Sequence, residues 1–424
     1  MTDTIFALSS GAPPAAIGVI RISGPRAAAA LQTLSGPLPA PRSASLRTIS
    51  DSQGAPLDRA LVLFFDGPAT ATGEDLAELH CHGGRAVVAA IERALGEIEG
   101  LRSAEPGEFT RRAFANGVID LAEAEGLADL LSAETEWQRR AALATAGGSL
   151  SRRVDGWRDR ILHLSALVEA AIDFADEDDV GGLPDGFKRE AAVLATEIRG
   201  ALEAPRAERL RDGVRVVLAG PPNAGKSSLF NAILDEGAAI VSEEEGTTRD
   251  VIERPVALGG IAFVLVDTAG LRESGAGTIE AIGIGRAREE LERADIVLWL
   301  GPEGEGPKGA LEIAAKSDLE AGGKQAPDFR VSAQTHEGVA GLIEGLIARA
   351  KGILPKGGEA AFNARQAQSL EDALEALEGL SMHEDLLLTG ERLRLARRAL
   401  DRLLGRQSTE DVLDALFGRF CIGK

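Results

Sequence analysis

One stretch limits the possible folds of this chain more than any other stretch does: Gly220-Pro-Pro-Asn-Ala-Gly-Lys-Ser-Ser228. It follows the apolar run 214–219 and precedes residues 229–234, whose pattern predicts the start of a helix. A glycine-rich turn between a strand and a helix is the context in which G-x-x-x-x-G-K-S binds phosphates. Gly220 and Gly225 let the backbone close around phosphate oxygens, and the N–H groups that open the helix form an anion site. The sequence therefore predicts a nucleotide-binding loop.

Two side chains of this loop carry its chemistry. Lys226 is predicted to reach the β- and γ-phosphates, and the Ser227 hydroxyl is predicted to ligate Mg²⁺. The other loop residues expected to surround the phosphates are Asn223, Ala224, Gly225 and Ser228.

Length, charge and cysteine content limit what else the chain can be. Its 424 residues are too many for one ordinary core, so two or three domains are expected. The formal net charge of −20 argues against non-specific binding to nucleic acid or to an anionic membrane, because both require clustered Lys and Arg, although it does not exclude a local basic face. No transmembrane stretch or signal peptide is predicted. Only two cysteines are present, Cys81 and Cys421, which favours a reducing, cytoplasmic location without a disulfide framework.

The hydrophobic patterns divide the chain into four segments. Residues 1–116 alternate strand-like and helical patterns, as in an α+β domain. Helical spacing dominates 117–212 and 352–424, whereas 213–351 alternates strands and helices as in a doubly wound parallel sheet. We therefore expect a multidomain α/β plus α fold, in which a helical domain is interrupted by an inserted nucleotide-binding domain.

The same patterns predict particular elements. Strands are expected at 17–22, 60–65 and 261–266, and helices at 86–95, 153–172 and 187–210. His80-Cys81-His82 is the one cluster of potential metal ligands, but no complementary pair follows it. A packed or substrate-facing strand end is therefore the preferred interpretation of these residues.

Two further segments contain residues that are expected to bind the phosphates and Mg²⁺ of a guanine nucleotide. Gly246-Thr-Thr-Arg-Asp250 supplies Thr248, whose hydroxyl is placed to complete the Mg²⁺ shell. Asp267-Thr-Ala-Gly270 supplies an outer Mg²⁺ contact from Asp267, and the N–H of Gly270 can sense the γ-phosphate. Thr268 and Ala269 of this segment are expected beside the nucleotide.

Two more segments suit the base. Lys316-Ser-Asp318 provides Asp318, which can accept two hydrogen bonds from the guanine edge that adenine cannot supply. Ser332 and Ala333 lie where the second base-reading segment is expected. Each piece alone is a weak signal, but their order and spacing after Gly220 indicate a GTPase.

Taken together, these segments resemble the MnmE (TrmE) family of tRNA modification GTPases, which are related to the translation-factor GTPases. The resemblance covers essentially the whole chain. Residues Gly18–Gly24, Thr72-Gly-Glu-Asp75 with Glu78, and Pro106-Gly-Glu-Phe-Thr110 are similar to the folate-binding domain of that family. Phe420-Cys-Ile-Gly-Lys424 is similar to its C-terminal signature.

The resemblance also implies how GTP is hydrolysed. Leu271 stands where Ras-like GTPases keep a glutamine, and an aliphatic side chain cannot orient the attacking water. The family places a K⁺ ion beside the phosphates, which stabilises developing charge when two GTPase modules meet. Glu280 would position the water through a bridging water; an ordinary exposed carboxylate is the alternative. The implied K⁺ ligands are Asn223, Ser242, Glu244 and Thr247, and Glu243, Glu245 and Gly246 adjoin the nucleotide.

The resemblance implies 5-formyltetrahydrofolate, or a related tetrahydrofolate, as the one-carbon donor. Its expected contacts are Arg21, Glu78 and the terminal Lys424. Two positions depart from the family: Val118 aligns with a lysine of the better-known relatives, and Ala315 replaces the asparagine of the guanine motif. Because Ala315 has no side-chain contact to offer the base, we expect a reduced affinity for guanine.

Cys421 has three interpretations. The resemblance puts it near the one-carbon site, and a packed terminal thiol is also possible. Cys421-Ile-Gly-Lys424 fits a loose prenylation pattern, but Gly423 and a terminal lysine suit it poorly, and no polybasic stretch lies immediately upstream.

The resemblance thus implies a K⁺-stimulated GTP hydrolase that acts with the FAD protein MnmG. Such pairs add an aminomethyl or carboxymethylaminomethyl group to the fifth ring position of the wobble uridine of certain tRNAs. The chain would form a homodimer through its N-terminal domain.

Two other classes of function stay open. A GTP-dependent ribosome-assembly factor would append a basic RNA-binding domain, whereas the tail of this chain shows no obvious Lys/Arg-rich face. A dynamin-like membrane switch would need an apolar membrane paddle, which the helical regions do not show.

Overall fold

The computed structural model describes residues 3–173, 183–239, 252–268, 288–319, 324–356, 359–382, 385–407 and 410–423. Contacts between Cα atoms divide the chain into two units, Met1–Ala128 with Leu400–Lys424, and Asp129–Ala399. Residues 288–293 form a short helix, and Gly379–Met382 form a 3₁₀ turn. The longer described helices are α1 Ala27–Ser35, α2 Arg85–Gly96, α3 Glu108–Ala115, α4 Leu121–Leu131, α5 Glu136–Ala146, α6 Ser149–Asp173, α7 Phe187–Glu203, α8 Ala207–Asp212, α9 Lys226–Glu236, α10 Val339–Ile353, α11 Ala364–Glu378, α12 Leu386–Leu403 and α13 Glu410–Phe417.

The first unit contains a six-stranded sheet. Its strands are β1 Thr4–Leu8, β2 Ile17–Ser23, β3 Ser45–Ser50, β4 Pro56–Phe65, β5 Leu76–His82 and β6 Leu101–Ser103. They lie in the order β3-β4-β5-β2-β1-β6, and each neighbouring pair is antiparallel except β1 and β6. The strands predicted at 17–22 and 60–65 are confirmed as β2 and the second half of β4.

Helices α1 and α2 cover one face of this sheet. Because side chains alternate between the two faces of a strand, every second residue of β1, β2 and β5 points toward these helices. The helix predicted at 86–95 is confirmed as α2. The buried residues that join the helices to the sheet include Phe6, Ile20, Leu31, Leu79, Ile91 and Leu95.

The opposite face of the sheet is only partly covered. Near β1, Phe109 packs on Ile5. Across β3, β4 and β5 the cross-strand partners Leu46, Leu61 and His80 lie in one row on this face. Leu46 is 56% exposed and Leu61 is 37% exposed. This part of the sheet therefore presents aliphatic side chains to the surroundings.

A buried ionic network ties α3 to the strands. The Arg112 guanidinium is fully buried. Its Nη1 donates to the Asp3 carbonyl at 2.9 Å and to Glu74 Oε2 at 3.1 Å. Its Nη2 donates to Asp3 Oδ1 at 3.0 Å and to Glu108 Oε1 at 3.1 Å. One arginine thus joins the N-terminal strand, the loop before β5 and the start of α3, which are distant in sequence.

A second arginine completes this network. Arg102 donates to Asp3 Oδ2 and to Glu108 Oε2, each at 2.8 Å. Burial alone would raise the pKa of Glu108, but hydrogen bonds from Arg102, the Glu105 amide and Arg112 outweigh it, so the pKa is lowered. Glu108 is therefore held as a carboxylate that accepts from both arginines.

The C-terminal residues pack against the N-terminal sheet within the same unit. Ile422 forms an antiparallel bridge with Pro106. Gly107 has a φ of 70°, and a Cβ there would lie 2.2 Å from the Phe417 carbonyl oxygen. Gly423 has a φ of 93°, and a Cβ there would lie 2.1 Å from the Leu8 carbonyl oxygen. Both positions need glycine, so the two end motifs of the sequence come together.

The second unit contains a seven-stranded sheet. Its strands are β7 Val214–Ala219, β8 Ala238–Ala239, β9 Ile252–Leu258, β10 Ile261–Asp267, β11 Ile296–Trp299, β12 Leu311–Ala315 and β13 Phe329–Val331. The order is β13-β12-β11-β7-β10-β9-β8. The five strands from β13 to β10 are parallel, and β9 and β8 add an antiparallel edge. The predicted doubly wound sheet is confirmed, as is the strand predicted at 261–266.

Helical segments precede and follow the sheet of this unit in the sequence. The helix predicted at 153–172 is confirmed as α6, but the single helix predicted at 187–210 is wrong. The first helix, α7, ends at Glu203 because Ala204 takes an extended conformation before Pro205. A separate short helix, α8, begins at Ala207.

The segments that enter and leave the nucleotide-binding sheet lie side by side. The Ala207 amide donates to the Phe362 carbonyl at 3.1 Å. The Phe362 ring stacks on Trp157 of α6 with 6.3 Å between centroids. This pairing is the geometry required for a domain inserted into a helical one. Among the described helices, none has a long enough apolar stretch to span a bilayer.

The contribution of the buried ionic network to the stability of the first unit can be tested directly. We predict that Arg112→Met destabilises this unit by about 3–5 kcal/mol, because three carboxylates would lose their buried partner. Hydrogen exchange of the β1 and β2 amides measures this unit separately from the rest of the chain.

The neighbouring arginine provides the control. Arg111 pairs with Glu410 and Asp414, whose side chains are 76% and 63% exposed. Arg111→Ala should therefore change the stability by only about 0–1 kcal/mol. Equal exchange rates in the two variants would show that the buried network contributes no special stability.

Candidate nucleotide-binding site

The loop at 220–225 lies at the point where the strand order of the sheet reverses. Strand β7 pairs in parallel with β10 on one side and with β11 on the other. Ligands of doubly wound sheets bind in the crevice that opens there, at the carboxyl ends of the strands. Gly220 has a φ of 149°, and a Cβ on it would lie 3.0 Å from the Gly301 amide nitrogen. The first loop glycine is thus required by the close approach of the chain after β11.

The predicted strand, loop and helix are confirmed. Strand β7 ends at Ala219, and α9 begins at Lys226 after Gly225 in the left-handed conformation, with a φ of 97°. Asn223 also has a left-handed backbone, with a φ of 60°, which asparagine tolerates better than most residues. The loop therefore directs the first amides of α9 toward the crevice, where they form an anion site.

Lys226 bends back across this loop. Its side chain is buried, and its Nζ donates to the carbonyl oxygens of Gly220 at 3.0 Å and Pro221 at 2.9 Å. Both acceptors belong to the loop that would surround the phosphates. The ammonium group is therefore already at the mouth of the loop, within reach of phosphate oxygens that compete for the same donor.

The Mg²⁺ ligand predicted from the loop meets a carboxylate from the next strand. The Ser227 hydroxyl donates to Asp267 Oδ2 at 2.6 Å. Asp267 ends β10 and is buried, and the adjacent Thr268 hydroxyl donates to the Leu218 carbonyl at 2.8 Å. A hydroxyl and a carboxylate oxygen at one point are the hard oxygen ligands that Mg²⁺ prefers, so this pair fits that ion.

The base-reading segments converge at the ends of β12 and β13. The Ser332 hydroxyl is buried and donates to Asp318 Oδ1 at 2.6 Å. The same hydroxyl accepts from the Thr335 amide at 3.2 Å. Asp318 is exposed, so its carboxylate is presented to the crevice while one oxygen is held in place. Ala333 is partly buried against the core of the sheet.

Lys316 connects the base segment to the phosphate loop. Its Nζ donates to the Asn223 carbonyl at 2.8 Å. Its backbone is left-handed, with a φ of 60°, which is uncommon for a lysine. Its Cε lies 3.6 Å from the point that a Cβ on Gly225 would occupy, and the Ala315 Cβ lies 3.7 Å from that point. The side chain is exposed but lies along the loop.

Several predicted site residues lie outside the described residues, so their placement stays a prediction. They are Ser242, Glu243, Glu244, Glu245, Gly246, Thr247, Thr248, Ala269, Gly270, Glu280 and Lys424. The predicted nucleotide-site residues that the structure describes are Asn223, Ala224, Gly225, Lys226, Ser227, Ser228, Asp267, Thr268, Lys316, Asp318, Ser332 and Ala333.

The two described folate candidates meet on the sheet of the first unit. Arg21 and Glu78 are cross-strand partners, and Arg21 Nε and Nη2 donate to Glu78 Oε1 at 3.1 and 2.9 Å. The guanidinium lies 5.9 Å from the centre of the Phe109 ring. Burial alone would raise the pKa of Glu78, but hydrogen bonds from Arg21 and His80 outweigh it and lower the pKa. The arginine is thus fixed in orientation.

The candidate metal ligands on β5 have other partners. His80 Nε2 lies 3.2 Å from Glu78 Oε2, and His82 Nδ1 lies 2.8 Å from Asp58 Oδ1. Cys81 is buried on the other face, where its Sγ donates to the Gly18 carbonyl. In the part of the chain that the structure describes, no group of three or more His, Cys, Asp or Glu residues is placed to hold a metal ion.

The sequence analysis did not identify the structural role of two residues in the motifs that resemble the family. Glu74 and Glu108 belong to the motifs at 72–75 and 106–110, yet both accept hydrogen bonds from the buried Arg112. The spacing of Glu108 and Arg112, four residues apart on a helix, was the available signal. Cys421 is exposed, so the interpretation as a packed terminal thiol is wrong.

Comparisons with known proteins cover almost the entire chain. The family described as "GTP-binding protein TrmE N-terminus" matches residues 4–118, and "MnmE helical domain" matches residues 121–421. The G domain of the FeoB iron transporter of T. maritima is 26% identical over 32% of this chain and 98% of that chain, with a TM-score of 0.24.

Two relatives match at high identity over their full length. The "tRNA modification GTPase MnmE" of Erythrobacter litoralis is 63% identical over 423 residues, which is 100% of both chains. The protein of the same name from Novosphingobium aromaticivorans is 60% identical over 437 residues, again 100% of both chains. The chain belongs to the MnmE family of tRNA modification GTPases.

Proposed function

We propose that this chain is a K⁺-stimulated GTP hydrolase that acts with an FAD protein of the MnmG type. Together they would add an aminomethyl or carboxymethylaminomethyl group to the fifth ring position of the wobble uridine of certain tRNAs. The observation that carries the proposal is the convergence of Lys226, Ser227, Asp267 and Asp318 at one edge of the sheet, in a chain that matches MnmE relatives over its full length.

The phosphate loop would bind the β- and γ-phosphates of GTP. The first amides of α9 donate to phosphate oxygens, and Lys226 turns from the Gly220 and Pro221 carbonyls toward them. Ser227 and Thr248 would hold Mg²⁺, which neutralises phosphate charge when bound, and Asp267 would lie in its outer shell. In this role the hydrogen bond between Ser227 and Asp267 orients the hydroxyl oxygen.

Asn223 would bind K⁺ through its side chain, with oxygens from Ser242, Glu244 and Thr247. Its carbonyl oxygen is already occupied by the Lys316 ammonium, so the amide side chain is the part of Asn223 that can serve a cation. A monovalent cation beside the phosphates supplies the electrostatic stabilisation that an arginine finger gives in other GTPases. Glu280 would position the attacking water, since Leu271 cannot.

The guanine base would be recognised by Asp318. A carboxylate accepts two hydrogen bonds from the N1–H and the exocyclic amine of guanine, and adenine cannot supply both. The Ser332 hydroxyl keeps the carboxylate in position. Because Ala315 offers no polar group, discrimination would depend more on Asp318 than in relatives with an asparagine there.

The first unit would bind the tetrahydrofolate and join two copies of the chain. Arg21, fixed by Glu78 and Phe109, presents a guanidinium to an anionic group of the folate, and Lys424 would add a second cation. The partly uncovered face with Leu46 and Leu61 supports a homodimer, because such aliphatic faces mark interaction surfaces. A cytoplasmic location agrees with tRNA as the substrate.

The composition of wobble nucleosides tests the proposed reaction. A strain that lacks this chain should lose the modified wobble uridine, and mass analysis of its tRNA would show the unmodified nucleoside in its place. Restoring the chain should restore the modification, whereas Lys226→Ala should not, because the loop would lose its phosphate-binding cation. Unchanged tRNA together with defective ribosome assembly would favour the assembly factor instead.

The hydrogen bond to Asp318 tests recognition of the base. We predict that Ser332→Ala weakens GTP binding about tenfold, since a hydrogen bond to a charged group contributes about 1.5–3 kcal/mol, part of which water can replace. Ser317→Ala is the matched control, because Ser317 is exposed at the same end of β12. Calorimetric titration with GTP and ATP would measure both. An equal loss in the two variants would contradict this role for Ser332.

Hydrolysis in K⁺ and in Na⁺ tests the cation site. Asn223→Ala should abolish the difference between the two rates, while GTP binding stays near normal. Because Asn223 has a left-handed backbone, alanine there costs about 1 kcal/mol, so Asn223→Gly serves as the unstrained companion variant. Both variants should behave alike. Persistent K⁺ stimulation in either would refute the cation assignment.

A further inference from the structure

Three side chains on one face of the first sheet form a chain of hydrogen bonds that ends at Arg21. Arg21 of β2 and Glu78 of β5 are cross-strand partners, and His80 follows Glu78 two residues later on β5. Residues two apart on a strand share a face of the sheet. Glu78 therefore has Arg21 beside it on the next strand and His80 beside it on its own strand, and it forms hydrogen bonds with both.

The hydrogen bonds from Arg21 do not by themselves fix the plane of the Glu78 carboxylate. Arg21 Nε and Nη2 both donate to Oε1, at 3.1 and 2.9 Å, instead of donating to one oxygen each. A guanidinium that binds both oxygens in parallel fixes the plane of a carboxylate. Bonds to a single oxygen leave the carboxylate free to turn about its last torsion, which has a broad energy profile. A second donor, on Oε2, is needed to hold the plane.

His80 supplies this second donor. Its Nε2 lies 3.2 Å from Glu78 Oε2. Although burial opposes it, hydrogen bonds from Arg21 and His80 lower the pKa of Glu78, so Glu78 is a carboxylate, which only accepts, and Nε2 is the donor. Val19 of β2 and Leu61 of β4 lie opposite His80 on its two sides. These aliphatic neighbours limit the positions that the imidazole can take.

The same geometry leaves one nitrogen of Arg21 for a ligand. Among the described residues, none accepts a hydrogen bond from Arg21 Nη1, whereas Nε and Nη2 are both used by Glu78. The side chains of Arg21 and Glu78 are 23% and 15% exposed, and the Phe109 ring lies on another side of the guanidinium. The direction in which Nη1 points is therefore set by the orientation of the Glu78 carboxylate.

We propose that His80 is a positioning residue of the folate site. By holding Glu78 Oε2, it orients Arg21 toward the anionic group of the tetrahydrofolate. It acts through Glu78 and is not itself a ligand contact. This inference rests on the proposed function, because it takes Arg21 and Glu78 to be folate contacts.

His82 is a close match for His80 that lacks this connection. It lies on the same face of the same strand, and its Nδ1 is 2.8 Å from Asp58 Oδ1. The other oxygen of Asp58 accepts from the His82 amide at 2.8 Å. In the part of the chain that the structure describes, neither His82 nor Asp58 forms a hydrogen bond with Arg21 or Glu78. Both histidines thus meet a carboxylate, but only the partner of His80 holds Arg21.

Titration of the full-length chain with 5-formyltetrahydrofolate, followed by calorimetry, tests the proposal. His80→Ala should raise the dissociation constant about threefold to tenfold, since one hydrogen bond to a charged group is lost and water replaces part of it. His80→Gln should restore most of the affinity, because its side-chain amide can donate to the same oxygen. His82→Ala, the matched control, should bind as the unaltered chain does.

A double-mutant cycle separates positioning through Glu78 from a general structural effect. Glu78→Gln keeps an oxygen that accepts from Arg21 but loses the charge, so we expect weaker binding that is still measurable. In that background His80→Ala should weaken binding by less than about twofold, because the carboxylate that it orients is gone. Light scattering checks that each variant keeps the mass of the unaltered chain, since Leu61 belongs to the face proposed to join two copies.

Failure of this proposal is distinguishable from failure of the folate assignment. If Arg21→Ala binds the folate as well as the unaltered chain does, the folate site of the proposed function is wrong. If Arg21→Ala weakens binding but His80→Ala does not, only the role of His80 is overturned. The same conclusion follows if His80→Gln fails to restore affinity, if the loss is equally large in the Glu78→Gln background, or if His80→Ala changes the mass.

Discussion

The parallel pairing of β7 with strands on both of its sides is the constraint on which the nucleotide site depends. Because β10 and β11 flank β7, the chain segments that follow all three strands emerge at the same edge of the sheet. The close approach of Gly301 then leaves no room for a side chain at position 220. In this strand order, Ser227 after β7 lies close enough to Asp267 at the end of β10 for its hydroxyl to donate to the carboxylate.

The parts of this architecture that are local in sequence could be predicted from it. The loop at 220–228 has its strand before it and its helix after it, so one stretch of chain contains the whole signal. Helices with regular apolar spacing, such as α2 and α6, were equally accessible. The helix predicted through residue 210 failed for a local reason that was also visible, since Pro205 forces the preceding residue out of the helical region.

Contacts between distant segments could not be predicted in the same way. The Arg112 network joins residues up to 109 positions apart, and no periodic pattern marks Asp3 as its partner. The pairing of Arg21 with Glu78 is a second example, because the register of β2 against β5 decides which of their residues face each other.

The contact between Lys316 and Asn223 joins two functions that the sequence presents as separate motifs. The ammonium holds the carbonyl of the residue proposed to bind K⁺, and the same lysine belongs to the segment that would read the base. Both residues have left-handed backbones, so each is held in a conformation that the surrounding fold must maintain. One hydrogen bond thus joins the segment proposed to read the base directly to the loop proposed to hold the phosphates. Residues 93 positions apart in the sequence are therefore in direct contact, which the spacing of the two motifs alone does not reveal.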